Sequence, residues 1–118
     1  MYGFDELEVS ELQGLLQAAE RGIDLIDVRT PAEVARGAIP GARNIPLHLL
    51  PVRERELDAA QRVILYCQTG ARSAQACAFL AARGRRNVYN LRGGIRAWLH
   101  SGQPAAAVET AESQQDSL

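Results

Sequence analysis

The stretch from Val63 to Ala82 constrains the fold of this chain more than any other. The apolar run Val63-Ile64-Leu65-Tyr66 is followed at once by Cys67-Gln68-Thr69-Gly70-Ala71-Arg72-Ser73 and then by an alanine-rich segment, Ala74 to Ala82. The order reads as strand, tight loop, helix, with Gly84 ending the helix. A strand feeding a helix through so short a loop belongs to a sheet whose strands run parallel, because parallel neighbours need a crossover, and the crossover is usually a helix.

The same alternation runs along the rest of the chain. Residues 4–8 read as a short edge strand. Ser10, with Gln13 three residues on, is the expected cap of a helix carrying Val9, Leu12, Leu15, Leu16 and Ala19 at helical spacing, with Gly22 as its end. Leu25-Ile26-Asp27-Val28 is a second strand. Thr30, Pro31 and Glu33 open a second helix as cap, first residue and capping-box partner, and Gly37 stops it. Residues 42–46 read as a third strand and 48–58 as a short helical segment. Val63 to Tyr66 is the central strand and 71–83 the helix behind the loop. Val88-Tyr89-Asn90-Leu91 is the last strand, and 94–101 the last helix, ending at Gly102. Strands alternating with helices give an α/β fold, a small parallel sheet of about five strands covered by helices on both faces. From Gln103 onward Pro, Ala, Ser, Gln and acids prevail without periodicity, so one domain is expected over 1–102 and a flexible tail over 103–118.

Sites in such sheets lie beyond the carboxyl ends of the strands. Cys67 and the segment Asp27-Val28-Arg29 both stand at such ends. A cysteine there begins a loop whose backbone N–H groups can point inward, and the loop closes on a helix N-terminus, which carries roughly half a positive charge. Arg72 adds a full one. A free thiol ionises near pH 8.5, and helix N-termini and cations lower that to about 3.5–7.5. The arrangement suits a nucleophilic thiolate and an anionic substrate.

Bulk properties agree with an intracellular globular domain. The chain has 118 residues, a net charge of −1 and two cysteines. Two cysteines make no disulfide framework, and with no leader or long apolar span the expectation is a reduced, cytoplasmic protein without membrane attachment. Every basic residue is arginine. Glu109, Glu112 and Asp116 lie in the tail, leaving thirteen arginines against eleven acids in residues 1–102, a net of +2. Arginine grips oxyanions with a planar fork. Nothing in this balance implies a nucleic-acid partner.

Four motifs in order resemble the rhodanese (thiosulfate sulfurtransferase) family over roughly residues 4 to 102. They are Asp27-Val28-Arg29, the run Gly37-Ala38-Ile39-Pro40-Gly41-Ala42-Arg43-Asn44-Ile45-Pro46, the Cys67 loop, and Gly93-Gly94-Ile95-Arg96-Ala97-Trp98. The resemblance implies a rhodanese-like fold and a double displacement. Cys67 attacks the outer sulfur of a donor such as thiosulfate, keeps it as a persulfide, and yields it to cyanide or a thiol. It implies no cofactor and no metal. Arg72, Gln68, Thr69, Gly70, Ala71 and Ser73 are the expected substrate-binding positions, with Arg72 neutralising the donor's anionic part. Asp27 and Arg29 are expected to hold the loop. The sequence departs from the family at Gln68, where a basic residue is common, and at Ala38, which replaces a histidine.

Two alternatives remain open at this stage. The domain can be a carrier fed by a protein sulfur donor or serving a protein acceptor. It can also be a cysteine-dependent phosphatase or arsenate reductase, although only four residues separate Cys67 from Arg72 where such phosphatases have five. Trp98 reads as core packing. His48 and His100 have no matching ligands. Cys77 lies about 9 Å along the helix from its start, at 1.5 Å per residue, which suits packing better than a resolving thiol.

Overall fold

The computed structural model describes residues 3–18, 22–57 and 61–106. The strands are β1 (Asp5–Leu7), β2 (Ile23–Asp27), β3 (Arg43–Asn44), β4 (Arg62–Tyr66) and β5 (Val88–Leu91). They form one parallel sheet in the order β1-β5-β4-β2-β3. The helices are α1 (Val9–Gln17), α2 (Pro31–Ala35), α3 (Leu50–Arg53, between 3₁₀ turns at Leu47–Leu49 and Glu54–Glu56), α4 (Ala71–Ala82) and α5 (Gly94–His100).

Strand β4 is the middle of the sheet, and its side chains divide the core. Val63 and Leu65, followed by Cys67, face Ala76, Cys77 and Leu80 of α4 and Leu50 of α3. Ile64 and Tyr66 face the other way, onto Leu12 of α1 and Ile95 and Trp98 of α5. All four residues of the run Val63–Tyr66 are fully buried. Burying an aliphatic side chain of this size stabilises the fold by roughly 1.5–3 kcal/mol. That burial is why the run leads into Cys67 at a fixed height above the sheet.

Two local expectations are corrected. Helix α1 is capped two residues earlier than Ser10, by Glu8, whose backbone N–H is held by Glu11 Oε1 at 3.0 Å. The capping box therefore uses an acid in place of a hydroxyl, and Val9 and Leu12 are the buried positions of the helix. Expected position Ala19 lies outside the described residues. The segment expected as one helix over 48–58 is a short α-helical turn between two 3₁₀ turns. Pro46 and Pro51 each lack an N–H, which breaks the regular hydrogen-bond ladder there. By contrast, α2 starts as read: Thr30 caps it, accepting from the Glu33 N–H, with Pro31 first.

The expected tail begins at Gln103. Its first four residues turn back onto the domain. Ala106 and Ala38 exchange two backbone hydrogen bonds of 2.8 Å each, and the Trp98 indole N–H donates to the Pro104 carbonyl at 2.8 Å. The remaining positions of that tail, 107–118, lie outside the described residues.

Candidate active site

Strand β4 ends in Tyr66, and Cys67 follows in a loop folded around its own sulfur. The Gly70 N–H points at Cys67 Sγ from 3.1 Å, and the N–H and hydroxyl of Ser73 each lie 3.4 Å from it. Gly70 permits this turn because it sits at φ 109°, a conformation that costs a residue with a Cβ. Cys67 is 1 % exposed. Burial alone would raise its ionisation, yet the hydroxyl of Ser73 and the N–H groups of Ser73, Gly70 and Thr69 outweigh it, leaving the thiol below its ordinary value. The second thiol, Cys77, is fully buried in the α4–sheet interface, and burial pushes it up to about 12.

What turns the loop's N–H groups inward is the N-terminus of α5. The Ile95 N–H binds the Cys67 carbonyl at 3.0 Å and the Arg96 N–H binds the Gln68 carbonyl at 3.1 Å. With those carbonyls drawn outward to α5, the amides that follow face the sulfur. The contact is so close that a Cβ on Gly94 would lie 2.4 Å from the Cys67 carbonyl oxygen. This is the physical content of Gly94, while a Cβ on Gly93 would instead lie 2.6 Å from the Ala97 Cβ.

The loop is braced from β2 as well. Arg29 and Asp27 are 4 % and 1 % exposed. The Arg29 guanidinium holds the Asp27 carboxylate with contacts of 2.7–3.1 Å, donates to the Gly37 carbonyl at 2.7 Å, and reaches Gln68 Oε1 at 3.4 Å. Burial works against the Arg29 charge, but Asp27 more than offsets it, so its ionisation is raised. Asn44 ties the end of β2 down by donating to the carbonyls of Asp27 and Arg29.

The residues singled out in the sequence do not all share one cleft. Gln68 and Arg29 line a cleft of about 370 Å³ with Glu33, Arg36, Gly37, Ile95, Leu99 and Ala105. Thr69 and Gly70 line a second, of about 460 Å³, with Phe4, Glu6 and Asn90. Arg72 borders a third, with Thr30, Pro46 and His48. Ala71 opens α4 with its methyl exposed. The Arg72 guanidinium makes a paired contact with Glu33, at 2.7 and 2.8 Å. The Arg72 hydrogen bond, with help from Thr30, drops the Glu33 carboxyl to about 2. Sequence reasoning saw Glu33 only as a capping-box residue. It also missed Arg36, which lines the first cleft and makes no side-chain ion pair or hydrogen bond among the described residues. Among the same residues no cluster of three histidine, cysteine or acidic side chains could hold a metal ion. No helix among the described residues is long and apolar enough to cross a membrane.

The model of the rhodanese-like domain family matches residues 8–101. The chain belongs to that family. A sulfurtransferase of Allochromatium vinosum is 52 % identical over 85 residues, covering 72 % of this chain and 79 % of the relative. The thiosulfate sulfurtransferase GlpE of Stutzerimonas stutzeri is 35 % identical, with 68 % and 73 % covered. Among solved structures, a rhodanese-related protein of Thermoplasma volcanium superimposes with a TM-score of 0.79 at 28 % identity, covering 88 % of this chain and 99 % of that one. The rhodanese-like fold is therefore shown, and relatives named as sulfurtransferases support a general sulfurtransferase role for this chain.

Proposed function

We propose that this rhodanese-like domain transfers sulfane sulfur through a persulfide on Cys67, with thiosulfate as one donor and cyanide or a thiol as acceptor. The observation that carries the reading is the single target shared by the Gly70 N–H, the Ser73 N–H and the Ser73 hydroxyl, which is Cys67 Sγ. Donors aimed at the sulfur stabilise a thiolate before any substrate arrives. The thiolate's electron pair attacks the outer sulfur of thiosulfate. The S–S bond to the sulfite part breaks, and sulfite leaves with its electrons. The loop amides then hold the terminal sulfur of the persulfide anion. An acceptor's electron pair takes that sulfur and the Cys67 thiolate is restored.

In this reading Arg72 and Arg36 meet the anionic part of the donor from two sides of the loop. Gln68, Thr69, Gly70, Ala71 and Ser73 shape the pocket, and the Asp27–Arg29 pair holds it in place. The setting is a reducing one, the cytoplasm, where Cys67 stays a thiol. Leu99, 47 % exposed beside neutral Gln68, favours a second donor class, the persulfide of a partner protein. The chain matches 22 % of an adenylyltransferase/sulfurtransferase, MoeZ, of Mycobacterium tuberculosis, so a relative of this domain forms part of a larger protein.

Intact mass after incubation with thiosulfate tests the proposal. Persulfidation adds one sulfur, about 32 Da. The gain is expected in the wild type and in Cys77→Ser, and absent in Cys67→Ser together with all sulfur transfer. Transfer retained by Cys67→Ser would sink the mechanism. The wild type is also expected to leave aryl phosphates intact. The ring from Cys67 to Arg72 is one residue short of surrounding a phosphoryl group, and one lost oxyanion donor costs about 10²–10³ in rate.

A further inference from the structure

A line of polar contacts runs from the second cleft to the thiol. Asn90 sits on β5, in register with Glu6 of β1 and Leu65 of β4. Its Nδ2 donates to Glu6 Oε2 at 2.7 Å and lies 3.4 Å from the Gly70 carbonyl. Both neighbours accept only, which fixes the amide's orientation: nitrogen toward Glu6, oxygen toward Ser73. Asn90 Oδ1 lies 2.5 Å from Ser73 Oγ. Because an amide oxygen has no proton, the hydroxyl of Ser73 must supply it.

Ser73 has one hydroxyl proton and three acceptors around it. They are Asn90 Oδ1 at 2.5 Å, the Gly70 carbonyl at 3.2 Å and Cys67 Sγ at 3.4 Å. Ser73 is fully buried and Asn90 nearly so, leaving water no easy entry as a second donor. A neutral sulfur is a weak acceptor, and the amide oxygen at the shorter distance wins. A sulfur anion is a strong acceptor, since hydrogen bonds to charged groups are roughly twice as strong as neutral ones.

We propose that Asn90 is a positioning residue that holds the Ser73 proton away from Cys67 while the sulfur is neutral and releases it when the sulfur becomes an anion. The inference rests on Cys67 as the sulfur carrier. The neutral thiol and the anion then differ by one donor. With neutral sulfur, Ser73 Oγ–H serves Asn90. With the thiolate or persulfide anion, it turns to the sulfur, and Asn90 Oδ1 loses its donor. Asn90 therefore sets how readily the thiol ionises, through Ser73 and without touching the substrate.

The test is titration of the Cys67 thiolate by its ultraviolet absorbance, with Cys67→Ser as blank. The charged and titratable groups that act on the thiol are Arg72 and Cys77, both of α4, with Glu6 of β1 acting on Cys77 in turn. Asn90→Leu keeps all of them and removes the competing oxygen. It is expected to lower the thiol's pKa by about one unit, the worth of a modest hydrogen bond to a charge. Ser73→Ala is expected to raise it, and Ser73→Ala with Asn90→Leu to match Ser73→Ala alone. Should Asn90→Leu fail to fold, Glu6→Ala at the partly exposed end of the line gives the same test. Without its carboxylate the Asn90 amide can turn, donate to Ser73 Oγ and drive the hydroxyl proton to sulfur, and that part of the fall must vanish in the Ser73→Ala background. A rise or no change in Asn90→Leu, or an equal shift with and without Ser73, would overturn the proposal. The titration needs no sulfur transfer, so its outcome is separate from that of the mass experiment on the persulfide.

Discussion

Arg29 and Arg72 brace the Cys67 loop, and each grips a carboxylate by paired contacts of similar length. Their surroundings separate them. The Arg29–Asp27 pair is 4 % and 1 % exposed and also ties Gly37 and Gln68 together. The Arg72–Glu33 pair is 37 % and 30 % exposed and ties α4 to the start of α2. A buried pair that loses one partner leaves an uncompensated charge, whereas a half-exposed pair is rescued by water. Identical chemistry is thus a fixed strut in one place and a movable contact in the other. Of the two, only the movable arginine suits the proposed role of exchanging its carboxylate for an anionic donor.

The largest effect is expected at the strut. Arg29→Ala should destabilise the domain by about 3–5 kcal/mol, or roughly 10 °C or more in Tm for a domain of this size, and abolish transfer. Arg29→Met together with Asp27→Leu should recover much of the stability while transfer stays low, because an apolar pair cannot hold Gly37 and Gln68. Thermal unfolding beside a transfer assay checks both. Recovery of full activity in that double variant would show that the pair contributes stability and nothing to the loop.

A smaller effect belongs to the movable contact. Arg72→Ala should lower kcat/KM for thiosulfate by about tenfold, the lower end for a hydrogen bond to a charge, with less than about 1 kcal/mol lost in stability. Unchanged kinetics in the folded variant would reduce Arg72 to a surface partner of Glu33.

Glu33→Gln sharpens the contrast. Releasing Arg72 should lower KM for thiosulfate several-fold, and the gain should disappear when Arg72→Ala is added. The pH dependence has a definite sign. Glu33 ionises at about 2 in the fold against an ordinary 4.5, so its contribution to stability is complete above 4.5 and lost as pH falls toward 2. The wild-type contact is therefore intact at neutral pH, and Glu33→Gln should lose less stability than the wild type when acidified. Equal acid sensitivity of the two proteins, measured by denaturant unfolding, would contradict the pairing.

The smallest effect is expected at Gln68, whose amide is 3.4 Å from the Arg29 guanidinium. Gln68→Arg adds a cation to the first cleft, beside Arg36. It should raise kcat/KM for thiosulfate modestly, mainly through KM, with the gain shrinking in high salt as the exposed charge is screened. A protein persulfide donor should gain nothing or lose. No change with any donor would remove position 68 from the site.

Much of this could be read from residues alone because the signals are local. The run Val63–Tyr66, the Thr30-Pro31-Glu33 box and the Cys67 loop each declare their structure within a few positions, since strand, cap and turn preferences act over that range. The sulfur's place at a strand end before a helix follows from the same order. The Ser10 cap failed because Glu8, two residues earlier, offers its own box with Glu11, and two competing local solutions are decided by which one buries Val9 and Leu12.

What the sequence could not give is every relation between distant positions. Glu33 and Arg72 are 39 residues apart, Asn90 and Glu6 are 84, and Ala38 and Ala106 meet only once the domain has folded. Gly94 announces a close approach without naming what approaches, which is the back of the Cys67 loop. The sequence by itself determined the parallel α/β order and singled out the candidate nucleophile. The tertiary structure decided which charges are already spent on partners and which donors reach the sulfur, because side-chain neighbours come from separate strands and helices whose register is set by burial, not by local propensity.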